Sequence, residues 1–356
     1  MGRFELGGER PLIIAGPCSA ETRAQTLETC AAVAATGMAG MLRAGVWKPR
    51  TKPGSFEGSG ARGLAWLAEA KAATGLPVAV EVATAKHAES AMRHGMDALW
   101  VGARTTVSPF AVQDIADAVR GNSDIIILVK NPVNPDMDLW AGAVERFAGA
   151  GIGSGQLGLV HRGFSYFGES RYRNSPMWHL VFEMRARFPE LPILCDPSHI
   201  AGDRAYLREV SQTAADLRYD GLMIESHICP DTALTDAAQQ ITPADLKELL
   251  GSIRWRTGEG GSPRFGKRLE KYRREIDQID SELFTLLSRR MEISEKIGEE
   301  KRDNNVAILQ RNRWRDIVEK VTARAEELNL SAEFVKTVLE AIHIESINRQ
   351  NKIMNK

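Results

Sequence analysis

Eight short apolar runs recur along the N-terminal two thirds of the chain, separated by stretches in which apolar residues have helical spacing. The runs are PLIIAGP, GMLRAG, PVAVEV, ALWVGA, DIIILVK, LGLVHRG, PILCDP and GLMIES. Strands that alternate with helices in this way are typical of a parallel sheet. A strand followed by a helix eight times over predicts an α/β fold, a closed (β/α)8 barrel of the TIM type, which needs about 250 residues.

A charged or metal-binding residue stands at or just beyond the end of every run. The carboxyl ends of barrel strands converge on one mouth, so these residues predict a single polar pocket. One such residue alone would be read as a solvated strand end, but its recurrence at all eight ends favours a site. The residues are Cys18, Arg43, Glu81, Arg104, Lys130, Arg162, Asp196 with His199, and Glu225.

The 356 residues exceed the usual length of one domain, and 43% of them are hydrophobic, enough to bury a full core. We predict a barrel over residues 1–252, a flexible linker rich in Gly, Ser and Arg over 253–265, and an all-α domain over 266–356.

The all-α domain begins with apolar residues at a three-four spacing, which predicts a long helix that packs on partners. At ~1.5 Å per residue, about 30 residues extend roughly 45 Å. Two short helices of the same chain cannot cover that length, so we expect a second copy to contribute and form a homodimer or larger assembly. Two further helices are predicted near 307–327 and 331–353. The spaced residues are Leu269, Tyr272, Ile276, Ile279, Leu283, Leu286, Ile293 and Ile297.

The charge balance and the number of cysteines limit which partners and which cell compartment we expect for this protein. The 46 basic and 46 acidic residues cancel, so no global field would hold the protein on nucleic acid or on an anionic membrane. The first apolar run is too short for a signal core or a membrane span. Four widely spaced cysteines favour reduced thiols. We expect a cytoplasmic protein, and the acidic residues of the tail disfavour an RNA-binding role for RWRTGEGGSPRFGKR.

Cys18, His199, Glu225 and Asp236 offer one thiolate, one imidazole and two carboxylates. This mixture suits a borderline divalent ion, with Mn²⁺ as our first choice and Fe²⁺, Co²⁺ or Zn²⁺ as alternatives. Taken singly, each residue also has an ordinary reading as a core thiol, a helix-capping side chain or a solvated loop charge. Cys229, in the loop after the last run, is an alternative ligand.

Five cations form a second set near the run ends, and they predict a small substrate with two or three negative charges. Arginine forks bind phosphate or carboxylate through two hydrogen bonds, and lysine supplies a compact charge. The cations are Arg43, Lys48, Arg104, Lys130 and Arg162. The segment KPRT at 48–51 adds a second phosphate site, although an ordinary basic turn has the same composition.

Eight motifs carry a resemblance to a known family. They are GPCSAE at 16–21, RAGVWKPRT at 43–51, GART at 102–105, LVK at 128–130, HRG at 161–163, DPSH at 196–199, IESH at 224–227 and ALTD at 233–236. In order and spacing over residues 11–250, the chain resembles the short bacterial 3-deoxy-D-arabino-heptulosonate 7-phosphate (DAHP) synthases, which catalyse the first step of the shikimate pathway. Because the barrel begins near residue 11, we expect no N-terminal regulatory domain of the kind that some relatives carry.

The resemblance implies that Cys18, His199, Glu225 and Asp236 bind the metal. It assigns the five cations to phosphoenolpyruvate, and Arg50, Thr51 and Thr105 to the phosphate of erythrose 4-phosphate. A sibling family uses arabinose 5-phosphate, but it typically has Lys-Ala-Asn where this chain has Lys-Pro-Arg at 48–50.

The chemistry that the resemblance implies needs a group that handles water. C3 of phosphoenolpyruvate attacks the polarised aldehyde, water adds at C2, and phosphate leaves. Glu81 with Lys48 is our candidate for positioning or deprotonating that water. The alternative is that Glu81 only pairs with the cations.

The tail segments RREIDQID, SRRMEISEKIGEEK, RNRW and ESINRQ resemble the all-helical chorismate mutases over about residues 264–353. The resemblance implies that cations and polar groups hold chorismate, with Arg273 supplied by a partner chain. Those groups are Arg273, Arg290, Lys301, Arg313, Ser346 and Gln350, of which Arg290, Lys301 and Gln350 would be catalytic.

Arg290 occupies a seam position where an aliphatic residue is expected, and a buried guanidinium needs an anion. Alternatively, it lies at the seam edge with its charge in water. Gln310 and Trp314 depart from the Asp and Glu that are common in the family. The tail is therefore either a mutase whose product, prephenate, inhibits the synthase, or a silent dimerisation or sensor module.

Overall fold

The computed structural model describes residues 11–48, 54–168, 170–257, 262–309, 317, 320–321, 323–325 and 327–355. The chain divides into two compact units, Met1–Gly258 and Glu259–Lys356. No helix among the described residues is long and apolar enough to cross a membrane.

Within the described part of the first unit, eight parallel strands close a barrel in chain order. This confirms the predicted (β/α)8 architecture. β8 pairs with β1, from Leu12 opposite Gly221 to Gly16 opposite Glu225, and so completes the closure. The strands are β1 (Leu12–Gly16), β2 (Met41–Ala44), β3 (Val78–Val82), β4 (Ala98–Val101), β5 (Ile126–Lys130), β6 (Leu157–His161), β7 (Ile193–Cys195) and β8 (Gly221–Glu225).

Helices follow the strands on the outside of the barrel, and polar caps fix where several of them begin. The side chains of Thr22, Thr84 and Asp136 accept hydrogen bonds from first-turn backbone N–H groups, which would otherwise have no partner. The helices are α1 (Arg23–Ala35), α2 (Ala61–Thr74), α3 (Ala85–Arg93), α4 (Ala103–Thr106), α5 (Pro109–Val119), α6 (Met137–Gly149), α7 (Trp178–Arg187), α8 (Pro197–Ala201), α9 (Leu207–Asp216) and α10 (Pro243–Ser252).

Two apolar layers hold this unit together. The larger layer packs strands against helices, and the smaller one, which includes Ile14, Leu128 and Met223, is a separate cluster of inward-facing strand residues. Trp100 belongs to the smaller cluster, yet its ring lies 4.7 Å from Cζ of Arg43 and 5.6 Å from Nζ of Lys130. The indole is therefore where the apolar interior ends and a charged region begins.

The second unit contains the long helix that the spacing predicts, α11 (Pro263–Asp303), and a later helix, α12 (Ala332–Met354). A Cβ added to Gly298 would lie 3.1 Å from Cα of Gln350, so the two helices approach closely there. The first turn of α11 overlaps the end of the predicted linker. Most of the helix predicted near 307–327 lies outside the described residues. Leu269 is half-buried, and the other seven residues of the predicted seam are exposed in the single chain.

Gly221 opens β8 where the closing strands meet, and we expect Gly221→Ala to destabilise the barrel. An added Cβ would lie 2.0 Å from the carbonyl oxygen of Leu12 and 2.8 Å from Cδ2 of Leu194. Forced separation of packed strands costs about 1–3 kcal/mol of unfolding free energy, which calorimetry would detect as a lower Tm. Gly251→Ala is the control, because an added Cβ there would have no heavy atom within 4 Å apart from the adjacent residues and the nearby backbone of its own helix. Equal Tm values for the two variants would contradict the expectation.

Candidate functional site

A cavity of ≈ 280 Å³ is lined by residues at the carboxyl ends of the strands and in the loops that follow. It brings together seven residues that the sequence predicts for the barrel site. They are Lys48, Glu81, Arg104, Lys130, Arg162, His199 and Asp236. Arg50 and Thr51 lie outside the described residues.

Three of the four predicted metal ligands form a cluster within this mouth. Potential ligand atoms of Cys18, Glu225 and Asp236 all lie within 4.8 Å of one another. Sγ of Cys18 is 3.3 Å from Oδ2 of Asp236. Among the described cysteines, Cys229 is exposed and does not belong to this cluster.

His199 lies beside the cluster. Its Nε2 is 3.9 Å from Oε1 of Glu225, and its Nδ1 is 2.9 Å from Oδ2 of Asp196. An Nδ1–H that donates to Asp196 leaves the lone pair of Nε2 directed to the cluster side, as metal-binding histidines require. Asp196 also caps α8 by accepting from the backbone N–H of His199, so one carboxylate orients both the ring and its helix.

The residues present fit a divalent cation. Oε1 of Glu225 is buried and has no hydrogen-bond partner in the described structure, although a guanidinium nitrogen of Arg43 is 3.2 Å away. An unsatisfied buried acceptor costs about 1–3 kcal/mol, and a cation would relieve that cost. Burial raises the pKa of the Cys18 thiol to about 12, and the charge of Glu225 adds to this effect. The thiol therefore ionises readily only with a cation bound.

Lys48 and Glu81 border the same cavity. Burial acts to lower the pKa of Lys48, but its contact with Sγ of Cys18 and the charges of Glu225 and Glu81 raise it to about 12, so the ammonium stays protonated. Its Nζ donates to Sγ of Cys18 at 2.9 Å. A Cβ added to Gly102 would lie 2.1 Å from Oε1 of Glu81. Glycine at this position therefore lets the carboxylate of Glu81 lie directly against the backbone that follows β4.

The remaining predicted cations lie in or beneath the cavity. Nζ of Lys130 donates to Oδ2 of Asp196 at 2.6 Å, and Nη1 of Arg162 donates to Oδ1 of Asn174 at 2.7 Å. Burial lowers the pKa of Arg162 to about 10, which still leaves it charged at neutral pH. Thr105 is buried next to Arg104 in α4. This concentration of positive charge in a partly dry cavity suits a small polyanion.

Three polar residues around the site were missed at the level of sequence. Arg173 and Asn174 line the cavity, and Gln239 donates to Glu225 from behind it. They come from loops, whose paths no apolar periodicity marks. Their polar character was the only available signal, and many surface residues share it.

The second unit holds its own polar group between α11 and α12. Nη1 of Arg290 donates to Oγ of Ser346 at 2.5 Å, and Nζ of Lys301 donates to Oε1 of Gln350 at 3.1 Å. Burial lowers the pKa of both cations. His343, which the sequence did not single out, has a pKa lowered by burial and by these two charges.

One predicted member of this group, Arg273, lies elsewhere, and another, Arg313, is not among the described residues. Arg273 is exposed on α11, seventeen residues before Arg290 and thus about 25 Å away along the helix axis. Arg313 lies outside the described residues, as do Gln310 and Trp314. Arg290 itself is exposed in the single chain, so the burial expected for a seam residue is not reached there.

Two known proteins show what the barrel part of the chain is similar to. The chain is 31% identical over 254 residues to a phospho-2-dehydro-3-deoxyheptonate aldolase of Thermotoga maritima, which covers 71% of this chain and 72% of that protein. It is 28% identical over 283 residues to a 2-dehydro-3-deoxyphosphooctonate aldolase of Geotalea uraniireducens, covering 71% of this chain and 95% of that protein.

Solved structures give the same result. The crystal structure of the Thermotoga maritima DAHP synthase matches with a TM-score of 0.61 and 29% identity over 69% of this chain and 68% of that one. A truncated form of that synthase matches with a TM-score of 0.60 and 26% identity over 70% and 88% of the respective chains.

Family models divide the chain in the same manner. Residues 4–259 match the DAHP synthetase I family, and residues 272–351 match chorismate mutase type II. The barrel with its thiol and carboxylate cluster, and the helix pair with its cations, are the parts that these models cover. The chain therefore belongs to the DAHP synthetase I family and carries a chorismate mutase type II domain.

Proposed function

We propose that the barrel condenses phosphoenolpyruvate with erythrose 4-phosphate and water to give DAHP and phosphate, and that the helical domain converts chorismate to prephenate. The observation that carries the first reaction is the thiol and carboxylate cluster of Cys18, Glu225 and Asp236, which lies beside a cationic cavity. Such a mouth can bind a polyanion and a divalent ion side by side. We place both reactions in the cytoplasm.

Phosphoenolpyruvate binds to the cationic side of the cavity. Lys130 and Arg162 offer buried charges from the ends of β5 and β6, Lys48 and Arg104 also line the cavity, and Arg43 is buried beside Glu225. Arg50, Thr51 and Thr105 hold the phosphate of erythrose 4-phosphate. The relatives include enzymes named for an eight-carbon product, but the Lys-Pro-Arg sequence at 48–50 favours the four-carbon sugar. Parallel assays with erythrose 4-phosphate and arabinose 5-phosphate test this choice.

Cys18, His199, Glu225 and Asp236 hold one divalent ion, with Mn²⁺ as first choice. When bound, the ion supplies Lewis-acid activation of the sugar aldehyde. The chain's own cations neutralise the carboxylate and phosphate of phosphoenolpyruvate while its C3 bonds to the aldehyde carbon. Glu81 then accepts a proton from the water that adds at C2, with Lys48 fixing its position. Phosphate departs from C2 with its bridging oxygen, and the cations of the cavity hold it as it leaves.

The helical domain needs no covalent or acid-base group, because the rearrangement of chorismate is unimolecular. Arg290 and Lys301 hold the carboxylates and the ether oxygen, and Gln350 adds a neutral amide. Charges placed in advance around a folded-up substrate are sufficient to accelerate this reaction. Ser346 orients Arg290 through their hydrogen bond.

A second copy of the chain completes this domain. Apolar residues along α11, including Ile276, Ile279 and Leu283, are exposed in the single chain, and their burial against another copy would stabilise a homodimer. Arg273 is about 25 Å from Arg290 along α11, so it reaches a substrate only in a neighbouring copy's site.

Removal of metal separates the two reactions. A chelator is expected to abolish DAHP formation and to leave chorismate rearrangement nearly intact, because only the barrel site uses a Lewis acid. Cys18→Ala and His199→Ala should reproduce the effect of the chelator. The measurement is both initial rates on the full chain, with Mn²⁺ restored as a control. Either variant keeping wild-type metal affinity and rate would show that the ligand set is wrong.

Arg290→Ala tests whether the helical domain is catalytic. Loss of one charge-assisted contact worth about 3 kcal/mol should slow chorismate disappearance on the order of 10²-fold or more, while the synthase rate persists. Arg289→Ala, which removes the adjacent exposed arginine, is the matched control. If chorismate is not consumed even by the wild-type chain, the domain is instead a silent dimerisation or sensor module.

Prephenate is expected to inhibit the synthase through the helical domain. Such inhibition requires that the domain docks on the barrel and leaves it, in which case a ligand that binds the docked arrangement better would shift that equilibrium. A preference of ~1.4–2.8 kcal/mol gives roughly ten- to hundredfold inhibition at saturation if docking blocks the mouth. Prephenate should inhibit the full chain and compact it in solution scattering. Inhibition that survives in a chain ending near Gly251 would place the ligand on the barrel itself.

A further inference from the structure

Gln239 lies next to Glu225, one of the candidate metal ligands. Its side chain is almost completely buried, at 1% exposure. Its Nε2 donates to Oε2 of Glu225 at 2.7 Å. Its Oε1 accepts from Nη1 of Arg173 at 2.8 Å, and the same Nη1 donates to Oδ1 of Asp236 at 3.0 Å. One continuous chain of hydrogen bonds therefore joins a single oxygen of Glu225 to a single oxygen of Asp236.

The other oxygen of each carboxylate faces the cluster. Oδ2 of Asp236 lies 3.3 Å from Sγ of Cys18. Oε1 of Glu225 has no hydrogen-bond partner among the described residues and lies 3.9 Å from Nε2 of His199. The hydrogen-bond chain thus occupies one oxygen of each carboxylate. The other oxygens face Cys18 and His199, where a cation would bind, and Oε1 of Glu225 is also 3.2 Å from a guanidinium nitrogen of Arg43.

The local sequence explains how Gln239 reaches this position. Residues 237–239 form a 3-10 turn that Asp236 precedes, and the backbone N–H of Gln239 donates to the carbonyl of Asp236 at 3.2 Å. Both side chains bind the same Nη1 of Arg173, so the amide of Gln239 and the carboxylate of Asp236 lie on the same side of the turn. Asp236 has φ 47°, a conformation that costs energy outside glycine and persists only when neighbours hold it.

The orientation of the amide follows from the charges around it. The NH₂ group faces the anionic Glu225, and the carbonyl oxygen faces the cationic Arg173. The reverse orientation would place an oxygen against a carboxylate and N–H groups against a guanidinium. The direction of both hydrogen bonds is therefore determined by electrostatics.

We propose that Gln239 is a positioning residue that holds Glu225, and through Arg173 also Asp236, in the orientation that binds the divalent ion. The inference rests on the proposed metal dependence of the barrel. Outer hydrogen bonds of this kind typically change metal affinity by about 10–100-fold when they are removed. Arg173 also lines the cavity, so Gln239 is the better residue to test.

The test is the affinity of the full chain for Mn²⁺ without substrates, measured by the electron paramagnetic resonance of free Mn²⁺. Gln239→Met keeps the length of the side chain, removes both hydrogen bonds, and should weaken binding about 10–100-fold. Gln239→Glu keeps the size and the contact with Arg173 but places a carboxylate against Glu225, and it should weaken binding as well. The matched control is Arg204→Met, because Arg204 binds the same turn through the carbonyl of Ala237 at 3.0 Å.

A second readout separates positioning from general stability. The visible absorption of bound Co²⁺ should change in Gln239→Met and stay as in the wild type in Arg204→Met, while both variants keep the wild-type Tm in chelator. Wild-type Mn²⁺ affinity and Co²⁺ spectrum in both Gln239 variants would overturn the proposal. If Gln239→Met unfolds early, Gln239→Glu alone decides by the same criterion.

Two further Mn²⁺ titrations distinguish the role of Gln239 from the proposal on which it rests, namely that the barrel binds a divalent ion. Wild-type protein should bind Mn²⁺, and Cys18→Ala should bind it far more weakly. If the wild type fails to bind, or if Cys18→Ala binds as tightly, the metal site and the role of Gln239 are both wrong. Loss of affinity in Cys18→Ala with full affinity in the Gln239 variants overturns only the role of Gln239.

Discussion

The pairing of β8 with β1 determines where the cluster of Cys18, Glu225 and Asp236 forms. Their register places Gly16 opposite Glu225 at the carboxyl end, so Cys18, two residues beyond β1, lies next to the end of β8. A Cβ on Gly16 would lie 2.2 Å from the carbonyl oxygen of Arg43. Close backbone approach at this glycine therefore brings β1, β2 and β8 together at one corner. The thiol and the two carboxylates meet there because the barrel is closed, although they are far apart in sequence.

Charge balance at that corner explains why the groups can be buried at all. Burial acts to raise the pKa of Glu225, but the neighbouring His199, Arg43 and Lys48 hold it below its usual value. Asp196 is kept ionised in the same way, because the neighbouring His199 and Lys130 hold its pKa well below the usual value. Buried ion pairs are weak sources of stability, since desolvation offsets most of their attraction. Their arrangement is better understood as preparation for ligands that carry charge.

Periodicity and spacing predicted the parts that repeat, and they could not predict the parts that depend on loop paths. Eight apolar runs were sufficient for the barrel, because strand ends in a closed parallel sheet have only one face on which to converge. Cys18, Glu225 and Asp236 were predicted together and lie together. Arg173 and Gln239 were not predicted, since a contact between loop side chains more than sixty residues apart has no local pattern. Arg290 shows a different limit of the method. Its spacing predicted a buried side chain, but the side chain is exposed in a single chain.

A single chain contains most of the candidate site in the barrel but only part of the proposed site in the helical domain. In the barrel, the donors and most of the cations come from strand ends that closure of the same chain brings together. On α11, Arg290 and Lys301 are only eleven residues apart and pair with residues of α12, whereas Arg273 lies about 25 Å from Arg290 along the axis. A helix cannot bring two residues seventeen positions apart to one site, which is why we propose that a second copy supplies Arg273. Burial of the exposed apolar residues on the same helix would stabilise such an association. The apolar residues along α11 are exposed in a single chain, and in a dimer the same residues would bring the partner's Arg273 to the site.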